Sequence, residues 1–122
     1  MQPLHVLLLQ SDSGTSDSLL ASFCNIFELV RQAPCLEDLR EYLLKNPKGI
    51  VVVDMEVASL FDVERLSHDF PEVRIICNHR LADEQMWTQT LNAGAADCCP
   101  SYDTRGILRA AMQEHSARPM AA

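Results

Sequence analysis

The sequence predicts an α/β domain: a doubly wound, five-stranded parallel sheet in the order 2-1-3-4-5, built as five β-α repeats. Three observations predict it. Short apolar runs recur five times along the chain, and segments of helical period separate them. Several of the runs are continuous rather than alternating, as in strands covered on both faces. Alternating strands and helices give a parallel sheet, and right-handed crossovers leave the doubly wound order as the simplest. The 122 residues suit one domain. It is assigned to residues 1–116, with 117–122 as a disordered tail or the start of a linker.

The first strand is "HVLLL" (5–9), and "SDSLLASFCN" (16–25) is the helix after it. The second strand is placed at "IFELV" (26–30), which alternates more and so lies nearer an edge. "LEDLREYLLKN" (36–46) is amphipathic through Leu36, Leu39, Leu43 and Leu44, and Asn46-Pro47-Lys48-Gly49 stops it. The third strand, "IVVVD" (50–54), is apolar until it closes on Asp54. A less regular helix over 57–70 stops at Pro71. The fourth strand is "VRIIC" (73–77). The next helix, 83–94, sets Met86, Thr90 and Leu91 on one face and ends at Gly94. The fifth strand, "ADCC" (96–99), is the weakest by composition. A last helix over 103–115 is capped by Asp103 or Thr104.

Charge and cysteine usage narrow the function. The net charge of -7 and pI near 4.9 give no electrostatic help toward nucleic acid or an anionic membrane, so neither is an expected direct partner. The five cysteines show no CxxC and no regular spacing, which suits reduced thiols in a cytoplasmic protein. Cys77, His79, Cys98 and Cys99 could form a zinc site. The plainer reading takes the cysteines as small core hydrophobes. The opening residues lack the basic leader and apolar length of a signal peptide, and no stretch reaches the length of a membrane span.

In a doubly wound sheet the functional crevice lies at the carboxyl ends of the strands, where the order reverses. Strands one and three flank that point, so Asp54 stands where a site would be. It could also be an ordinary strand end. Three stretches go further: "PLHVLLLQSDS", "GIVVVDME" and "LNAGAADCCPSYDTRGILRAAM". Together they make residues 3–115 resemble the receiver domain of bacterial two-component response regulators, a flavodoxin-like (βα)5 fold. The resemblance implies a phospho-accepting aspartate at Asp54 and carboxylates holding Mg²⁺ at the end of strand one. It also implies a metal-ligating backbone carbonyl at Glu56.

The residues depart from that pattern at several positions. The two main acid positions are Gln10 and Ser11, leaving Asp12 as the third. The family's Thr or Ser after strand four falls at Cys77 or Asn78. Its Lys after strand five falls at Ser101, and the only lysines are Lys45 and Lys48. Phosphoryl transfer depends on charge neutralisation and positioning, and Mg²⁺ needs several oxygen ligands. The pattern is therefore that of a degenerate, or pseudo-, receiver, with at most a weak Mg²⁺ site from Asp12, Asp54 and Glu56 and no other cofactor. Asp12 is the more natural N-cap of the first helix. Asp54 is expected to be partly open to water with Asp12 its nearest acidic neighbour, so Asp54→Asn should leave the fold unchanged or stabilise it.

The leading function is a non-enzymatic signalling domain acting through protein contacts. The face made by helix four, strand five and helix five would meet a protein partner, a second copy or a histidine kinase. Trp87 is the interface candidate, with Met86 turned to the core, because adjacent helix positions do not share a face. Arg105 and Arg109 form a solvated face or half of a salt-bridged dimer surface. His5, His68, His79 and His115 are read as surface or edge residues. One alternative is a working receiver that accepts a phosphoryl group on Asp54. Another is a small domain binding a nucleotide or other anion at the same crevice, where the "SDSGTSDS" loop opens a helix.

Overall fold

The computed structural model describes residues 5–113, so the expected tail at 117–122 and His115 lie outside them. Five parallel strands alternate with five helices. They are β1 (His5–Leu9), α1 (Ser13–Phe23), β2 (Leu29–Gln32), α2 (Leu36–Lys45) and β3 (Gly49–Asp54). Then come α3 (Leu60–Asp69), β4 (Val73–His79), α4 (Glu84–Asn92), β5 (Asp97–Pro100) and α5 (Thr104–Met112). The sheet order is β2-β1-β3-β4-β5, as the alternation of elements predicts.

The continuous apolar strands supply two cores, because successive side chains point to opposite faces. On one face Leu7, Leu9, Val51, Val53, Ile75, Cys77 and Cys98 meet Leu39 and Leu43 of α2 and Val63 and Leu66 of α3. On the other, Val6, Leu8, Ile50, Val52, Ile76 and Cys99 meet Leu19 and Phe23 of α1 and Ile107, Ala110 and Ala111 of α5. Burying side chains of this kind contributes roughly 1.5–3 kcal/mol each before entropy is subtracted. All six residues of β3 are buried, which holds the end of that strand rigidly in the middle of the sheet.

Some boundaries differ from expectation, each for a local reason. The second strand starts at Leu29 rather than Ile26, because Ile26 and Phe27 both donate their N–H to the Phe23 carbonyl and form a turn after α1. Phe27 then stacks near Phe23, at 5.5 Å between centroids. β2 is nonetheless an edge strand. α1 starts at Ser13 because Asp12 caps it. α3 starts at Leu60 because Ser59 and Asp62 form a capping box, while Val57 and Ala58 turn back onto the Asp54 carbonyl. β4 runs two residues past Cys77, to His79. No helix among the described residues is long and apolar enough to cross a membrane.

Gly49 carries one backbone constraint that sets the start of β3. Its φ is +138°, and a Cβ there would sit 2.7 Å from the His5 carbonyl oxygen. That clash is with backbone, so nothing can swing aside. Gly49→Ala is expected to cost more than about 1 kcal/mol, read as a lower urea midpoint with an unchanged slope. An unaltered midpoint would show that β1 and β3 can separate freely at this end.

Candidate functional site

Four loops converge at the carboxyl edge of the sheet. Gln10 and Ser11 follow β1 and Asp54 ends β3. Asn78 lies opposite Asp54 in the parallel register, and Ser101 comes one residue after Pro100, which pairs with His79. Asp54 is only 2% exposed, Asn78 is fully buried and Ser101 is 8% exposed.

The Asp54 carboxylate accepts three hydrogen bonds. Its Oδ2 takes the Ser11 backbone N–H at 2.9 Å and the Ser11 hydroxyl at 2.6 Å. Its Oδ1 takes the Glu56 backbone N–H at 2.8 Å. These are neutral donors meeting an anion, a stronger arrangement than neutral pairs. Beside them lies a second, uncharged set. Gln10 Nε2 donates to Asn78 Oδ1 at 2.9 Å, and Asn78 Nδ2 returns a bond to Gln10 Oε1 at 3.0 Å. Gln10 also donates to the Val52 carbonyl at 3.2 Å, and Asn78 Nδ2 donates to Ser101 Oγ at 2.8 Å. Among the described residues no buried side-chain polar atom is left without a partner.

Several placements correct the sequence expectations. Asp54 is sealed rather than partly open to water. Asp12 turns its carboxylate to the Thr15 N–H at 2.8 Å and the Thr15 hydroxyl at 3.1 Å. The Thr15 backbone hydrogen bond is the main reason its carboxyl is held below the usual 3.8. Glu56 directs its side chain to Arg80, at 2.9 Å. The side chains of Asp12, Asp54 and Glu56 are thus each engaged separately, while the part the resemblance implies for Glu56 belongs to its backbone carbonyl, which these contacts do not involve. Asn78, not Cys77, faces the crevice. Strand parity sends the Cys77 side chain into the core shared with Val53 and Ile75.

The zinc set is also dispersed. Cys77 and Cys98 lie on one face of the sheet and Cys99 on the other, while His79 Nδ1 accepts the Leu81 N–H. Burial pushes the Cys77 thiol up strongly and the Cys99 thiol to about 12, so both are held as neutral core groups. Among the described residues, no cluster of three or more His, Cys, Asp or Glu side chains could hold a metal ion.

Two features went unread in the sequence: the Gln10–Asn78–Ser101 set and the Arg80–Glu56 pair joining the loops after β3 and β4. The first had a signal. An amide after strand one, an amide near the end of strand four and a hydroxyl after strand five are mutually complementary in donors and acceptors. The second had none, since an Arg in one loop and a Glu in another have no fixed spacing.

No protein-family model matches the chain, and no curated protein matches it in sequence. Solved structures do match in shape. A response regulator from Thermotoga maritima superposes with a TM-score of 0.78 at 17% identity, over 92% of this chain and 100% of that one. The fold is that of a receiver domain. The complex of CheX with CheY, BeF3 and Mg from Borrelia burgdorferi gives 0.77 at 21% identity, over 90% of this chain and 87% of that one. The receiver domain of a DNA-binding response regulator from Colwellia psychrerythraea gives 0.73 at 15% identity, over 90% and 99%. On this receiver fold, Asp54 ends the central strand, at the switch point between β1 and β3.

Proposed function

We propose that this receiver-fold domain belongs to a two-component pathway in the cytoplasm and signals through protein contacts, without catalysis and without phosphorylation control. The observation that carries the reading is the Asp54 carboxylate, buried and hydrogen-bonded on both oxygens by neutral donors. A phosphoryl group attached there would need room, a counter-charge and a metal. Ser11 points its N–H and O–H at the oxygen that a cation would have to approach. Gln10 is committed to Asn78, and Asp12 to its helix cap. These residues do not fit Mg²⁺, which sheds water only for well-placed charged oxygens.

The contact surface in this reading is the face of α4, β5 and α5. Trp87 is 46% exposed, while its neighbour Met86 packs against the core. The Trp87 indole N–H is anchored to Asp97 Oδ1 of β5 at 3.1 Å. A large aromatic held in one orientation at the surface loses little entropy on binding, which favours it as an anchor. The occupant is a protein: a partner, a second copy or a kinase.

The test is a titration with Mg²⁺, then with beryllofluoride or acetyl phosphate, followed by amide NMR shifts and Trp87 emission. Mg²⁺ binding weaker than millimolar and no shifts at Ser11, Asp54, Asn78 and Ser101 are expected. Shifts clustered at those residues with beryllofluoride would make Asp54 a working phospho-acceptor. Shifts with a nucleotide in the absence of Mg²⁺ would make the crevice an anion site.

A further inference from the structure

The outward side of α5 carries a groove of about 410 Å³ lined by Arg105, Leu108, Arg109, Met112 and Gln113. Its floor is apolar. Leu108 packs partly against the second core, while Met112 is 55% exposed. The two guanidiniums stand one helical turn apart on either side of Leu108, a rise of about 6 Å. Neither Arg105 nor Arg109 forms a salt bridge with a described residue. Most of the other cations among the described residues are engaged. Arg40 meets Asp69, Lys48 meets Glu72 and Arg80 meets Glu56. Arg31 and Arg65 lie over Tyr42 and Phe61, and Arg74 bonds the Ala110 carbonyl. In a chain of net charge -7, two free guanidiniums bracketing an apolar groove are a local reversal of charge.

We propose that this stripe of α5 docks an acidic protein segment that presents an apolar side chain between carboxylates about one helical turn apart. The inference rests on the reading of the domain as a protein-contact module and adds the chemistry of the partner. Charge complementarity selects the occupant. A twofold dimer through the stripe would gather four guanidiniums with no carboxylate among the lining residues, since such a contact uses the same patch on both copies. Nucleic acid is disfavoured because two cations give little counterion release against an acidic whole. Trp87 does not line the groove, so the stripe extends the contact surface beyond the part that Trp87 would anchor.

The probes are two peptides of about three helical turns, alike in carrying leucines one turn apart. One is flanked by Glu, the other by Lys. Titrated into the full chain, the Glu peptide should shift the amides of Arg105, Leu108, Arg109 and Met112, and should bind more weakly as salt rises. Arg105→Glu with Arg109→Glu should weaken it by about tenfold or more and transfer the preference to the Lys peptide. Both residues are exposed, so the fold should survive. Arg105→Gln with Arg109→Gln is the milder control and should give an intermediate loss. Equal binding of the two peptides, shifts elsewhere, or no shifts would overturn the proposal. So would a concentration-dependent dimer that the reversed variant abolishes, which would assign the groove to a second copy. Beryllofluoride shifts alongside Glu-peptide binding would remove the phosphorylation-free reading alone. Their absence without peptide binding would remove this one alone.

Discussion

Asp54→Asn should destabilise the domain by about 1–3 kcal/mol, the typical cost of leaving a buried donor unsatisfied. The carboxylate accepts from Ser11 on one oxygen and from the Glu56 N–H on the other. An amide keeps one oxygen and replaces the other with an NH₂ group. If the NH₂ faces Ser11, it meets a backbone N–H that cannot turn away, although the hydroxyl can. If it faces Glu56, it meets another backbone N–H. Either rotamer leaves the buried NH₂ group at position 54 facing a donor instead of an acceptor. The sequence expectation, a neutral or stabilising change, depended on repulsion from Asp12, and Asp12 is occupied at Thr15. Thermal unfolding should show a drop of roughly 4 °C per kcal/mol for a domain of this size. An unchanged or higher midpoint would mean that Asp54 is not held by these three donors.

Ser11→Asp should make stability depend on Mg²⁺. The Ser11 hydroxyl lies 2.6 Å from Asp54 Oδ2, so the substitution sets a second carboxylate, from an exposed loop residue, against the buried Asp54. Like charges this close cannot both ionise without cost, and the variant should melt well below the parent in chelator. A dication between the two oxygens would remove the repulsion and bind the folded state alone. Its melting point should then rise with Mg²⁺ on the order of 10 mM, following mass action. The parent should not respond to the same addition. If the variant stays indifferent to Mg²⁺, missing charge is not what separates this crevice from a metal site.

The sheet was legible because burial on both faces leaves a plain mark. Val51–Val53 and Ile75–Cys77 are apolar without interruption, and Gly49 and Pro71 punctuate them. β2 was misplaced because Ile26 and Phe27 are as apolar as a strand but serve a turn, and only the hydrogen bonds to Phe23 distinguish the two. α1 began early because a cap acts through one side-chain bond, and the loop offers several cap formers. In the site, the position of Asp54 followed from the end of an apolar run. Its burial did not, because two of its three donors are backbone groups of Ser11 and Glu56, and backbone groups leave no trace in residue type. The choice between Cys77 and Asn78 turned on strand parity. A one-residue step moves a side chain from the core to the crevice, and the pairing of Asp54 with Asn78 fixes it.

Gln10 reaches over β3, bonding Val52 on the way to Asn78, and Asn78 continues to Ser101. One chain of side-chain groups thus ties β1, β3, β4 and the loop after β5. Its members satisfy one another, so their substitution energies are not independent. Changing Gln10 to an acid, Asn78 to a threonine or Ser101 to a lysine, one at a time, leaves the remaining groups mismatched in a buried place. Each such single change is therefore expected to lower stability, and only a joint replacement could recover it. The set works like a combination lock: no one member can be exchanged at low cost while the other two stay as they are.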